Sequence, residues 1–293
     1  MKNIIIAGGS GFLGSHLSKA FVARGFSVIV VSRSGLPNTN GSIVPWEELP
    51  RVVDGAHAVI NLAGTNVGGK RWSAQVRHTI LQSRVDSTRL IVNAINMARE
   101  RPAFISASAV GVYGNTMVPS NEAMGAGQTF LASVVSAWER EAMLASEITR
   151  VVCLRIGVVL DAMEGALPRL ALPMRLGVGG PLGSGKQWFP WIHINDVVEA
   201  FVWATLDASA TGPYNVVAPD AVTMGQMSAA LGKVLHRPSW LPVPSAALRL
   251  LLGRQADVVV HGQHVVPMRL LGTRFRFTHP HLDEALRDLL RNS

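Results

Sequence analysis

Tyrosine occurs only twice in the 293 residues, cysteine once, and carboxylates are scarce, 19 against 27 Lys and Arg. The lone Cys153 excludes an internal disulfide and suits a reducing compartment. It stands in the apolar run Val151-Val152-Cys153-Leu154, which predicts a buried strand thiol rather than a nucleophile. No Cys/His spacing typical of a metal site occurs. His261 and His264 flank a Gly-Gln pair and His279 and His281 flank Pro280, positions that read as loops. No charge-free run is long enough to span a bilayer, and the N-terminus shows no cleavable apolar segment. These absences predict a cytoplasmic protein without a membrane partner.

The net charge of +8 is uneven: residues 221–293 carry nine Lys and Arg against four Asp and Glu. A basic C-terminal third can attract nucleic acid or an anionic substrate. Its arginines, however, are scattered among Leu and Pro with no basic run and no aromatic interleaving, so no nucleic-acid partner is expected.

What the chain does have begins at residue 4. The apolar run Ile4-Ile5-Ile6-Ala7 leads into Gly8-Gly9-Ser10-Gly11-Phe12-Leu13-Gly14 and then a helical pattern ending at Gly25. A second apolar strand follows, Ser27-Val28-Ile29-Val30-Val31. Strand, glycine turn and helix in that order are what a dinucleotide pyrophosphate needs. Glycines 8, 11 and 14 permit a tight turn, bring bare backbone to the phosphates and let helix pack on strand. The helix start adds unpaired N–H groups and the positive end of its dipole. The residues after the second strand, Val31-Ser32-Arg33-Ser34, hold no carboxylate before Glu47. A carboxylate there holds a ribose 2′-hydroxyl, whereas Arg33 can grip a 2′-phosphate through a charged fork with Ser32 as a hydroxyl donor. NADP is therefore favoured over NAD, with Arg33 as a plain solvated loop residue the alternative.

Further along, a polar loop at 34–42 precedes the strand Ala58 to Asn61, whose end Leu62-Ala63-Gly64 is placed to line the ligand crevice of a doubly wound sheet. A helix is predicted from Ser73 to Arg99, stopped by Pro102, with Arg77 and Arg84 on one face; Arg84 reaches the phosphates or is solvated. Next come the strand Ala103 to Ser106, leading to Ser108 and Tyr113, a helix over 129–145 carrying Trp138-Glu139, and a buried strand from Val151 to Leu160. Residues 167–190 carry Gly177, Gly179, Gly180, Gly183 and Gly185 with four prolines, and read as a loop-rich insert beside a substrate pocket. A helix from Asn195 to Leu206, capped by Asn195 or Asp196, a strand Tyr214 to Val217 and a helical tail from 223 complete the pattern. Alternating strands and helices predict an α/β fold: a doubly wound, mainly parallel sheet. Residues 1–166 and 191–218 would form a nucleotide-binding domain of Rossmann type; residues 167–190 and 219–293 would form a smaller substrate lobe.

These pieces resemble the extended short-chain dehydrogenases/reductases. The matching strings are the Gly-x-x-Gly-x-x-Gly turn, Asn61-Leu62-Ala63-Gly64, Ser106-x-Ser108 with Tyr113-Gly114, and Trp191-Ile192-His193-Ile194-Asn195-Asp196. Arg155-Ile156-Gly157-Val158-Val159-Leu160, Gly179 to Gly185 and Phe189-Pro190-Trp191 resemble more closely the atypical epimerase-like branch, across essentially the whole chain. The resemblance implies that Ser32, Arg33, Leu62, Ala63, Arg84 and Val159 touch NADP, beside the turn residues Gly8, Ser10, Gly11, Phe12, Leu13 and Gly14 and the strand-end Gly64. It also implies a homodimer through a four-helix contact.

The resemblance weakens at the chemistry. The parent family uses a Tyr four residues before a Lys, the Lys and the cationic nicotinamide lowering the Tyr pKa. No Tyr-x-x-x-Lys exists here: Met117 follows Tyr113 and Ala218 follows Tyr214 at that spacing, and alignment on Glu139 puts Leu131 and Val135 at the two positions. Ser108 remains to polarise a substrate oxygen, and Tyr113 either substitutes as acid or is a packed loop residue. Loss of general acid/base catalysis costs roughly 10²–10⁴-fold, which leaves room for weak turnover. Lys186, Gln187 and Trp188 in the glycine-rich insert are candidate substrate contacts. Two functions follow: an NADP-dependent oxidoreductase or epimerase-like enzyme acting on a small carbonyl or sugar-nucleotide-like substrate, or a non-enzymatic NADP(H) sensor or assembly protein.

Overall fold

The structure, a computed structural model, describes residues 2–33 and 41–291. Most of the predicted 34–42 loop, residues 34–40, lies outside the described residues. Seven parallel strands form the central sheet: β1 (Asn3–Ala7), β2 (Ser27–Val31), β3 (Ser42–Val44), β4 (Ala58–Asn61), β5 (Ala103–Ala109), β7 (Val151–Ile156) and β11 (Gly212–Val216). Their order is β11-β7-β5-β4-β1-β2-β3. The chain winds outward from β1 through β2 to β3, then crosses back to β4 on the other side of β1. That reversal opens a crevice beyond the carboxyl ends of β1 and β4.

Strand alternation builds both core layers. Ile4 and Ile6 face one way, onto Leu17 and Phe21 of α1 (Phe12–Ala23) and Phe201 of α6 (Ile194–Leu206). Ile5 and Ala7 face the other way, onto Ile91 and Ile95 of α3 (Ala74–Met97) and Ala142 of α4 (Phe130–Met143), with α2 (Leu49–Val53) beside them. Helices thus cover both faces of a parallel sheet. Cys153 points into the second layer, and burial, then the charge of Glu139, pushes its thiol well above the ordinary range. It is the buried strand thiol that the apolar run implies.

The remaining strands form three two-stranded sheets. β6 (Thr116–Ser120) pairs with β13 (Gln263–Val265), β8 (Val158–Leu160) with β10 (Trp191–His193), and β9 (Trp188–Phe189) with β12 (Val222–Thr223). Helices α5 (Leu167–Arg175), α7 (Met224–Leu235), α8 (Ser245–Leu252), α9 (Asp257–Val260), α10 (Met268–Leu271) and α11 (Leu282–Leu290) complete the chain. Among the described residues no helix is long and apolar enough to cross a membrane.

Four local expectations are corrected. The 167–190 stretch opens with a nine-residue helix, α5, because Pro168 occupies its first turn, where no N–H is needed, and Pro173 lies near its end. The strand expected from Val151 to Leu160 breaks at Gly157, where a Cβ would lie 2.4 Å from the Pro190 carbonyl oxygen. Helix α6 is capped by His193, whose Nδ1 accepts from the Asn195 N–H at 3.1 Å, not by Asn195 or Asp196. Asp196 instead accepts from the backbone N–H groups of Thr278 and His279, at 2.7 and 3.0 Å, tying α6 to the C-terminal segment. His264 stands in β13 rather than in a loop.

Candidate active site

The glycine turn folds as its residue types require. Gly8 has φ +77°, and a Cβ on it would lie 2.9 Å from the Ala63 backbone, so the end of β1 closes against the end of β4. Gly14 packs so tightly that its Cβ would meet Gly9 at 2.4 Å. Gly11 differs: a Cβ there would meet only the Gly8 carbonyl, at 3.5 Å. It is also the N-cap of α1, which has no side-chain cap and no acidic residue in its first turn. The N–H groups of Phe12, Leu13 and Gly14 therefore have no acceptor among the described residues. An uncapped helix start beneath a bare glycine backbone fits an anion and would hold a pyrophosphate.

At the end of β2, Ser32 and Ser10 bring their hydroxyls within 3.1 Å, tying the turn to the neighbouring strand. Arg33 is exposed and makes no hydrogen bond or ion pair with a described residue. At the end of β4, Asn61 fixes the turn: its Oδ1 accepts from the Ala63 N–H at 3.0 Å while its Nδ2 donates to Thr88 Oγ1 at 2.9 Å. Leu62, Ala63 and Gly64 are held at the crevice by this bridge. Arg84 rises from α3 behind Gly64, where a Cβ would lie 3.1 Å from its Cζ. Its Nη1 donates to the Thr65 and Ile80 carbonyls, and the guanidinium lies 5.2 Å over the Trp138 ring. Burial without a carboxylate partner lowers its pKa to about 10. Val159 sits on β8 across from Phe12; a Cβ on Gly165 would reach the Val159 oxygen and the Phe12 ring at 3.3 and 3.8 Å. The predicted cofactor residues thus gather at one place, the switch point of the sheet.

Ser108 and Tyr113 belong to a second, buried constellation at the end of β5. Ser108 Oγ donates to Glu139 Oε1 of α4 at 2.6 Å. Arg155, on β7, grips both oxygens of that carboxylate, Nε to Oε1 and Nη2 to Oε2, each at 2.8 Å. Its Nη1 donates to Tyr113 Oη at 2.9 Å, and the phenol donates to Asn215 Oδ1 at 2.7 Å. Burial lowers the Arg155 pKa, but the hydrogen bonds and charge of Glu139 outweigh it, so the guanidinium is held above its ordinary value. Desolvation raises the Tyr113 pKa despite the opposing charge of Arg155. Sequence reasoning found Ser108 and Tyr113 but not Arg155, Asn215 or the carboxylate's contact with Ser108.

The three predicted substrate contacts diverge. Gln187 is buried and locked: its Nε2 donates to the Leu182 and Val259 carbonyls at 2.8 and 3.1 Å, and its Oε1 accepts from Ser184 Oγ at 3.0 Å. Lys186 is exposed. Trp188 stacks on His264 at 3.9 Å, and its buried indole N–H has no hydrogen-bond partner among the described residues.

Residues 4–217 match the NAD dependent epimerase/dehydratase family. The chain belongs to that family. A second family, a domain of unknown function designated DUF1731, matches residues 243–289. The chain is 35% identical to the epimerase family protein YfhF of Bacillus subtilis, covering 98% of each chain. It is likewise 35% identical to human epimerase family protein SDR39U1, over 98% of this chain and 99% of that one. A crystal structure of human SDR39U1 with NADPH superposes with a TM-score of 0.93, covering 99% and 100% of the two chains. A nucleoside-diphosphate sugar epimerase from Corynebacterium glutamicum, 28% identical, gives a TM-score of 0.80 over 99% of this chain and 58% of its own.

Within this epimerase/dehydratase frame, the departure at the Tyr and Lys positions has a structural form. Val135 is buried with Val110, Val112, Tyr113, Val217 and Val265. Leu131 packs on the turn after β5, where a Cβ on Gly111 would lie 3.5 Å from its Cβ. Leu131, Val135 and Glu139 follow one another at four-residue spacing, hence on one face of α4. The face that would carry the phenol and the ammonium is apolar for two turns and acidic at the third.

Proposed function

We propose that this chain is an NADP-dependent oxidoreductase or epimerase-like enzyme acting on a small carbonyl or sugar-nucleotide-like substrate. The observation that carries the reading is the uncapped start of α1 under a glycine backbone at the switch point, with no competing carboxylate beside it. Gly8, Gly11, Gly14 and the first N–H groups of α1 would hold the pyrophosphate, with Leu62, Ala63 and Val159 walling the crevice. Ser10, Ser32 and Arg33 would read the 2′-phosphate, which favours NADP over NAD. The relative crystallised with NADPH supports the same preference. When bound, the nicotinamide would supply or take a hydride at the end of β5, where Ser108 would touch the substrate oxygen. The exposed Lys186 and the Trp188 ring would be the substrate contacts on the lobe side. Spectrophotometric oxidation of NADPH with a panel of aldehydes, quinones and nucleotide sugars tests the enzyme; no oxidation above a heat-inactivated control contradicts it.

A non-enzymatic NADP(H) sensor is favoured by one observation, the apolar Leu131 and Val135 where a proton-carrying pair would stand. The two readings part in a pull-down with and without NADPH: a partner captured only in one nucleotide state, together with absent turnover, selects the sensor.

A further inference from the structure

Tyr113 is not free to serve as the acid. Asn215 Nδ2 donates to the Val266 carbonyl at 2.9 Å, which fixes its Oδ1 as the acceptor of the Tyr113 proton. The phenol oxygen in turn accepts from Arg155 Nη1. Both the proton and the acceptor side of the phenol are therefore engaged inside the fold, and the ring is 5% exposed.

Ser108 is engaged differently. Its single donated bond runs to Glu139 Oε1, a carboxylate that can take a proton. Arg155 clamps that carboxylate from the other side with two parallel bonds, which fixes the oxygen toward Ser108. A serine alone is a poor proton source near neutral pH. A serine in a 2.6 Å hydrogen bond to a carboxylate can pass one on.

We propose that Ser108 and Glu139 form the proton relay of this site, replacing the missing Tyr and Lys, with Glu139 acting through the Ser108 hydroxyl. The inference rests on the oxidoreductase reading above and concerns the proton alone. In the oxidative direction the substrate hydroxyl proton moves to Ser108 Oγ as the Ser108 hydrogen moves to Glu139 Oε1. The O–H bonding pair stays on the substrate oxygen, and Glu139 later releases the proton to water. Reduction runs the same path backward, a protonated Glu139 restoring the Ser108 hydrogen as Ser108 protonates the substrate oxygen. Arg155 and Tyr113 position the carboxylate and do not exchange the proton. The charged and titratable groups around Glu139 are Arg155 and the Cys153 thiol from β7, Tyr113 from the turn after β5, Glu122 beyond Tyr113, and Arg84 from α3 over the adjoining Trp138.

The test compares wild type, Glu139→Gln and Ser108→Ala by NADPH fluorescence titration, pH–rate profiles with 9,10-phenanthrenequinone and 4-nitrobenzaldehyde, and infrared titration of carboxyl groups. Both variants are expected to hold NADPH as wild type does. Turnover should fall by roughly 10²–10⁴-fold, the scale of lost acid/base catalysis, and the pH dependence should flatten. The infrared signal of the Glu139 carboxylate should vanish in Glu139→Gln and shift in Ser108→Ala. If Glu139→Gln does not fold, Ser108→Ala, which keeps the Glu139–Arg155 pair, carries the test alone. Unchanged turnover and an unchanged pH profile in the variants overturn the relay and leave the oxidoreductase reading standing. No wild-type turnover despite NADPH binding overturns that reading, and the relay with it.

Discussion

Gly8 and Ala63 touch across the switch point: a Cβ on Gly8 would stand 2.9 Å from both the Ala63 nitrogen and its Cα. Two strand ends meet there because one of them has no side chain. The contact aligns the glycine turn with the Asn61-braced turn of β4, so both sides of the crevice are backbone.

Gly11→Val and Gly14→Ala should fail in different ways. A Cβ added at Gly11 meets only the Gly8 carbonyl oxygen, at 3.5 Å, so the fold should survive while the valine blocks the path of the phosphates. The methyl added at Gly14 runs into the Gly9 backbone and should cost about 1–3 kcal/mol as an overpacked contact. Thermal melts paired with NADPH titrations separate the two. Full nucleotide affinity in Gly11→Val would remove the turn from the binding site.

Arg33→Asp should weaken NADPH more than NADH, by about 1–3 kcal/mol, the scale of a charged hydrogen bond. Arg33 is exposed and makes no hydrogen bond or ion pair with a described residue, so stability should change little. Parallel losses for both cofactors would show that Arg33 does not read the 2′-phosphate.

Arg155→Leu should destabilise the protein by about 3–5 kcal/mol, because it strands the Glu139 carboxylate and unpairs the Tyr113 oxygen. The double variant Glu139→Leu with Arg155→Leu should recover much of that loss. Urea denaturation of the single and double variants measures the difference; additive losses would mean the pair is not coupled.

Acid should loosen the join between α6 and the C-terminal segment. His193 is 1% exposed and stacks on His279 at 3.7 Å, with Asp288 Oδ2 3.3 Å from its Nε2. Desolvation, then the charge of His279, lowers its pKa from 6.5 to about 4. The unfolded chain therefore binds this proton first, and the stabilising contribution present above 6.5 is lost as pH falls from 6.5 to about 4. His193→Asn retains a capping acceptor and cannot protonate, so its stability should vary less across that window. Equal slopes for variant and wild type in pH-dependent melts would contradict this.

Much of this arrangement was legible in the chain, for reasons that differ by element. The glycine turn, β1 and β2 are local patterns read within thirty residues, and the positions of Leu62 to Gly64 follow from the sheet's topology. Helix α5 was hidden because Pro168 and Pro173 read as breakers, although one sits in the first turn and the other near the end. The network around Ser108 was hidden by distance along the chain: Glu139 is 31 residues from Ser108, and Asn215 is 102 from Tyr113. Arg155 lies within an apolar strand, where nothing local marks its partner. The cap of α6 fell to His193 because Asp196 is drawn away by the 278–279 backbone.

Isothermal titration of folded, nucleotide-free protein tests the central claim most directly. The account predicts one-site binding of NADPH, tighter than NADH. Absence of heat with both NADPH and NADP⁺ on folded material would contradict it.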